Sequence, residues 1–243
     1  LDLEIEEIVF GQGDSSSFSI DFEDGSIAPQ ESVEVTVSLS FNSTTAATED
    51  VLRIFSNDSD ESIVEISLIG YRYLSVPEYH TTIQAAIEDA ADGEMIIVNP
   101  GTYQENIYFN GKNISISATD GPQNTIIDGG QNGSAVSFIG NETNAGGSLS
   151  GFTITGGSAS FGGGIFCDNT SPELENLIVT GNLSTVSGAG IYCKSGSNPF
   201  LRDLTISGNT SELSGSGIGL FDESSPFLQN VSITDNSASL GAG

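Results

Sequence analysis

GGGIFCDNTSPELENLIVTGN (162–182), GAGIYCKSGSNPFLRDLTISGN (188–209) and GSGIGLFDESSPFLQNVSITDN (215–236) are three copies of one pattern, and they decide the fold. They recur every 26 to 27 residues, the length of one solenoid coil. Laid over one another, the copies give columns. Ile165, Ile191 and Ile218 share a column, as do Cys167, Cys193 and Leu220, with Phe166, Tyr192 and Gly219 between them. Apolar positions two apart mark a strand with one buried face, so the cysteine column points inward and the aromatic column outward. Leu174, Leu201 and Leu228 form another inward column, flanked on the solvent side by Glu173, Phe200 and Phe227 and by Glu175, Arg202 and Gln229. A third strand carries Leu177, Leu204 and Val231, then Val179, Ile206 and Ile233. Three short strands and three turns per coil are therefore expected. Each copy closes on Asn182, Asn209 or Asn236, at a corner where Asn, Asp and Gly tolerate left-handed backbone and stacked amides bond between coils. Asn176, Asp203 and Asn230 mark a second such corner.

The pattern extends upstream. SLSGFTITGG (148–157) repeats the LENLIVTGN position one coil early, and MIIV, NIYF, NISIS, NTII and AVSFI between residues 95 and 139 are short strands broken by PG, NG, DG and GG turns. The count comes to about six coils, spaced about 4.8 Å apart. Ahead of them TTIQAAIEDAADGE (81–94) reads as an amphipathic helix. Thr81 or Thr82 caps its start, Ile83, Ala86, Ile87 and Ala90 share a face, and Gly93 stops it. Such a helix covers the open end of a solenoid core. YLSVPEY (73–79) reads as a linker, and residues 1–75 as strands separated by Gly, Ser, Asn and Pro clusters. In that part Val33, Val35, Val37, Leu39 and Phe41 alternate over the longest run, as one sheet of a sandwich does.

Two resemblances follow. FSI, GSIAPQESVEVTVSLSF and LRIFSNDSDESIVEISLIG resemble the immunoglobulin-like modules of the choice-of-anchor D kind, in which two further strands precede the position of Leu1. TTIQAAIEDAADGEMIIVNPGTYQENI, GKNISISATDG, TIIDGG and the later coils resemble the right-handed parallel β-helix proteins of the pectin lyase-like superfamily over residues 79–243. The expected fold is thus all-β: a partial immunoglobulin-like β-sandwich over 1–75 lacking its first strands, then a right-handed parallel β-helix over 78–243 with a short capping helix. Gly241-Ala242-Gly243 repeats Gly188-Ala189-Gly190, so the β-helix is expected to be cut short at that end and the chain to be joined to further domains on both sides. That superfamily holds polysaccharide lyases, glycoside hydrolases and esterases, and also adhesins and surface proteins without chemistry. Its shared motifs, Pro100-Gly101-Thr102-Tyr103 among them, belong to the scaffold.

Five Lys and Arg stand against 33 Asp and Glu, a net charge of −28 spread over the whole chain. Such a chain repels nucleic-acid phosphates and anionic membrane surfaces, and no apolar run reaches the length of a membrane span. Acidity together with abundant Ser, Thr, Asn and Gly suits an extracellular or cell-surface protein. The two cysteines fall on one column of adjacent coils, within disulfide reach, and read either as buried apolar fillers or as a bonded pair.

Candidate chemistry is sparse. Glu173 and Glu175 sit two apart on an outward face, about 7 Å by strand geometry, within the window of an inverting carboxylate pair. Lys194 and Arg202 are the cations of the regular coils, and a polyuronate lyase would need such groups as base and charge neutraliser. Register places them over Asp168 and Glu175 of the preceding coil, which argues for structural ion pairs instead. The paired Asp, His and Arg/Lys pattern of a polygalacturonase, or the two Asp and Arg of a methylesterase, is not readable. His80, the one histidine, stands at the helix junction without a recognisable partner. Asn57, Asp58, Asp60 and Glu61 offer oxygen ligands for calcium or a solvated hairpin tip, and no metal site or cofactor is otherwise readable. Outward Phe166 over Tyr192, and Phe200 over Phe227, give apolar strips that sugar rings can lie against or that steady the coils. The functional expectation is a non-catalytic module of the cell surface, carbohydrate-associated or adhesive. Its rivals are a lyase or hydrolase whose active coils lie elsewhere, and a structural stalk.

Overall fold

A computed structural model describes residues 2–13, 16–22, 25–40, 47–71, 73–140 and 145–241. It divides into two compact units, Leu1–Arg72 and Tyr73–Gly243.

The first unit is built of antiparallel pairs. One sheet has the order Gly25–Ile27, Leu3–Phe10, Ala47–Ser56, Ile63–Tyr71, and a second, two-stranded sheet pairs Phe18–Ile20 with Val37–Leu39. Buried Phe18 joins the two, with its ring 6.4 Å from that of Phe10. A Cβ placed on Gly70 would fall 2.4 Å from Leu39 Cδ2, so the smaller sheet rests directly on the larger. The alternating run from Val33 was expected to be one long strand, but only Val37–Leu39 pairs, and Val33 is exposed. Its partner strand is three residues long, so alternation beyond that has no ladder to join. Phe41 lies outside the described residues.

The second unit is a right-handed parallel β-helix with four faces. Face A stacks Ile107–Tyr108, Val136–Ile139, Ile165–Asp168, Ile191–Lys194 and Ile218–Leu220. Face B begins with Tyr73–Val76 and Met95–Val98 and runs on through Ser171–Glu175 and Phe200–Arg202 to Phe227–Gln229, seven strands in all. Face C stacks six strands from Gly101–Gln104 to Ser232–Thr234. Face D holds Ser158–Phe161, Leu183–Ser187, Thr210–Ser214 and Ser237–Leu240.

Three expectations change here. A regular coil has four strands, not three, because LSTVS and TSELS, which lie between the quoted copies, form face D. Their inward residues are serines, and Ser184 Oγ donates to Ser211 Oγ at 3.0 Å in the core, a pattern that apolar periodicity does not reveal. Tyr73–Val76 is the first rung of face B rather than a linker, pairing from Tyr73 with Met95 to Val76 with Val98. The helix spans Ile83–Asp89 and ends on Ala90, before Gly93.

Register matches the columns throughout: Ile165, Phe166, Cys167 and Asp168 lie under Ile191, Tyr192, Cys193 and Lys194, and Glu173, Leu174 and Glu175 under Phe200, Leu201 and Arg202. The inward set is sealed, with Ile165, Cys167, Leu174, Val179, Ile191, Cys193, Leu201 and Ile206 at 0% exposure. Leu220 and Leu228 share those columns but are about half exposed, because no further coil lies over them among the described residues. In the early coils Phe109 and Phe138 fill the axis, stacked at 4.0 Å. The glycine at the third position of GGG and GAG has a steric cause. A Cβ on Gly164 or Gly190 would come within 2.5 Å of the carbonyl oxygen of the next coil.

The corners behave as the turn chemistry requires. Asn176, Asp203 and Asn230 hold φ of 49, 57 and 55° between faces B and C. Between C and D, Gly181, Gly208 and Asp235 turn the chain and the following asparagine points inward. Asn182 Nδ2 donates to Asn209 Oδ1 and Asn209 Nδ2 to Asn236 Oδ1, both at 3.0 Å. The same amides reach carbonyls of the preceding coil, Ile154 and Val179. Both Asn182 and Asn209 begin Asn-x-Ser/Thr sequons, and their burial leaves neither accessible to a glycan.

The helix is held at both ends by tertiary contacts. Thr82 Oγ1 caps it locally, accepting from Ala85 N at 3.1 Å. The Glu105 carboxylate accepts from Ile83 N and Gln84 N, both at 2.9 Å. At the other end Lys112 Nζ donates to the carbonyls of Ile87, Glu88 and Ala90 at 2.7 to 2.8 Å. Each charge complements the helix dipole. Ile83, Ala86 and Ile87 complete the buried core at this end.

Candidate functional site

The outward residues of faces A and B carry the side chains singled out by sequence. On face A, Lys194 Nζ lies 2.9 Å from Asp168 Oδ2 and 5.4 Å from the Phe166 ring centre. Ser195 Oγ donates to the other Asp168 oxygen at 2.8 Å. On face B, Arg202 NH2 meets Glu175 Oε2 at 2.6 Å, and its guanidinium sits 5.7 Å from the Phe200 ring centre. Glu175, by its hydrogen bond first and its charge second, pushes the Arg202 pKa further up. Each cation thus has a carboxylate on one side and an aromatic face on another, a geometry that fixes it as an ion pair. Glu173 stands free of the Arg202 contact beside Phe200, so the two glutamates have unlike surroundings.

The aromatic strips differ from one another. Phe200 and Phe227 stack in parallel at 5.1 Å and 6°, and Phe227 is 62% exposed. Phe166 and Tyr192 also stack, at 6.2 Å and 7°, but Tyr192 is only 5% exposed and cannot act as an open contact for a ligand. Phe161 of face D lies against it at 4.8 Å, and the Tyr192 ring lies against Gly219, where the next coil has no side chain. Burial pushes the Tyr192 hydroxyl pKa up, with the Lys194 charge acting the other way. Phe161 was missed because it belongs to the unrecognised face. Phe221, 63% exposed after the last face A strand, was missed because it stands outside the columns.

Cys167 and Cys193 are inward, fully buried and free. Contact with Cys193, and then burial, push the Cys167 thiol pKa well up. His80 Nε2 rests 3.2 Å from Asp89 Oδ2 at the end of the helix. The SNDSDES segment turns between Ala47–Ser56 and Ile63–Tyr71. There Asn57 Oδ1 accepts from Glu4 N, and the Asp58 and Asp60 carboxyls interact, which holds Asp58 below and Asp60 above the usual range. Among the described residues no group of three or more His, Cys, Asp or Glu converges as a metal site.

Residues 134–241 match the family model for a right handed beta helix region. The match covers the regular coils and speaks to the scaffold. No curated protein and no solved structure matches the chain. What the faces can do therefore rests on their own chemistry: among the described residues, two neutralised ion pairs, one open aromatic stack and no base poised beside a free cation.

Proposed function

We propose that the β-helix is a non-catalytic, carbohydrate-associated module of an extracellular or cell-surface protein, of the pectin lyase-like superfamily, carried behind an immunoglobulin-like sandwich. The observation that carries the reading is the parallel Phe200–Phe227 stack on the outer side of face B, with Gln229 and the Arg202–Glu175 pair in the neighbouring outward column. A sugar ring presents an apolar face of C–H groups that lies flat on an aromatic ring, while its hydroxyls seek polar neighbours within a few ångströms. Phe227 offers the ring, and Gln229 and the ion pair offer donors and acceptors. Two antiparallel sheets in contact support the sandwich assignment for the first unit.

Catalysis is the weaker reading because both outward cations are bound to carboxylates, and neither is placed to take a proton or receive a uronate. The test is affinity electrophoresis of the protein in gels containing neutral and acidic polysaccharides. Retardation by at least one glycan, lost in Phe227→Ala without a change in unfolding midpoint, is expected. Equal mobility in every gel, or retardation that survives the substitution, would remove the carbohydrate reading. Absorbance of unsaturated uronate ends should stay flat with pectate and alginate, with or without calcium. A steady rise abolished by Lys194→Ala would favour the lyase.

A further inference from the structure

In the N-terminal unit the strand Ile63–Tyr71 is nine residues long and pairs on one side only, with Ala47–Ser56. Among the described residues no strand meets its other edge. A free edge of that length exposes a row of main-chain donors and acceptors ready to pair with an extended segment. The usual protections are missing. There is no proline, and the one charged residue, Glu65, is bound by Arg53 Nε at 2.8 Å. Ile63, Ile66 and Ile69 are 49, 43 and 55% exposed.

Charge says what kind of segment fits. Strand, hairpin and neighbouring strand, residues 47–71, carry six acids against Arg53, which is already engaged. An open groove of about 470 Å³ crosses from Ser67, Leu68 and Ile69 of the edge strand over its paired neighbour at Glu49 and Asp50 to Gly11. Glu49 is exposed at this groove. Asp50 is buried: its Oδ1 accepts from Val51 N at 2.7 Å and Gln12 N at 3.1 Å, while Oδ2 makes no hydrogen bond of normal geometry. Burial pushes the carboxyl up, but the Ser16 hydroxyl and the N–H groups of Val51, Gln12 and Gly11 outweigh it and hold the group below the usual carboxylate range. Asp50 and its cross-strand partner Leu68 share the inner face, so the acid open to a partner is Glu49, opposite Ile69 on the outer face.

We propose that this edge is the docking site of an extended basic peptide segment, which adds as a strand along Ile63–Tyr71 and lays one Lys or Arg side chain across the outer face of the sheet toward Glu49. The aliphatic stem of that side chain lies across exposed Ile69, and its charge meets Glu49, the cross-strand partner of Ile69. Main-chain pairing supplies the binding; the cation supplies the choice of partner.

The experiment uses the whole chain and a blocked, fluorescently labelled peptide, Thr-Val-Thr-Lys-Thr-Val-Thr, read by anisotropy at low and high salt. Controls carry Glu in place of Lys, or N-methyl groups on alternate residues. Expected are binding of the Lys peptide at least tenfold tighter than the Glu peptide, weakening with salt, loss with the methylated peptide, and a severalfold weakening in Glu49→Gln, an exposed position that leaves folding unchanged. The proposal is overturned by no binding, by equal binding of the Lys and Glu peptides, by binding that survives methylation, or by protein self-association that the Lys peptide displaces no better than the Glu peptide, since the edge would then serve a second copy.

Discussion

Cys167 and Cys193 show how one column fixes the chemistry of a residue. Their side chains meet because the parallel register stacks them, and burial keeps both thiols away from solvent. Neither is expected to react with a water-soluble thiol reagent until the coil unfolds, and labelling of the folded protein at the rate of a free thiol would show the inward assignment to be wrong. Cys193→Ser puts a hydroxyl into an apolar slot and should cost about 1 to 3 kcal/mol, with or without reductant. The raised Cys167 pKa also has a pH consequence. Below about pH 8.5 the thiol is neutral in both folded and unfolded chains; above it the unfolded thiol ionises while the folded one does not, so stability falls as pH rises. Cys167→Ala should flatten that alkaline slope in denaturant titrations.

At the scale of elements, the corner ladder and the helix clamp do the most specific work. Asn209 donates its amide hydrogens to, and accepts on its carbonyl oxygen from, partners on the coils before and after its own. Replacing it with Leu keeps the volume and strands buried groups above and below. A loss of about 3 kcal/mol is expected, larger than for Leu in place of exposed Asn230 at the other corner, as read by urea unfolding. The clamp predicts a second effect. Lys112→Met retains the stem but orphans three carbonyls at the helix end, and should cost about 1 to 3 kcal/mol while raising amide exchange selectively in residues 83–90. Exchange that rises evenly over the whole β-helix would mean the helix is not a separately clamped element.

For the molecule as a whole, stability is distributed along a stack in which each coil covers the one before. Position along that stack should therefore outweigh residue type. Leu201 and Leu228 occupy one column, yet the first is fully buried and the second 43% exposed. Leu201→Ala is expected to cost about 2 to 5 kcal/mol and Leu228→Ala about 1 kcal/mol or less. Equal losses in thermal unfolding would show that the last coil is as well covered as the middle one.

The sequence by itself determined the coil period, the inward and outward columns, the Asn corners, and the pairing of Lys194 with Asp168 and Arg202 with Glu175. All of these follow from a repeat, because in-register stacking turns sequence alignment directly into spatial contact. What only the tertiary structure decided has no period to read. Face D buries serines that bond to one another rather than to water, so its inward positions look polar in sequence. Tyr192 points outward on its strand and is nevertheless covered by Phe161 from a different face. Glu105 and Lys112 reach the helix from more than twenty residues away. The open edge at Ile63–Tyr71 depends on which strands pair in the antiparallel sheet. In each case the deciding neighbour is distant in sequence and lies off the column, and a side chain's exposure is set by that neighbour rather than by its own position in the repeat.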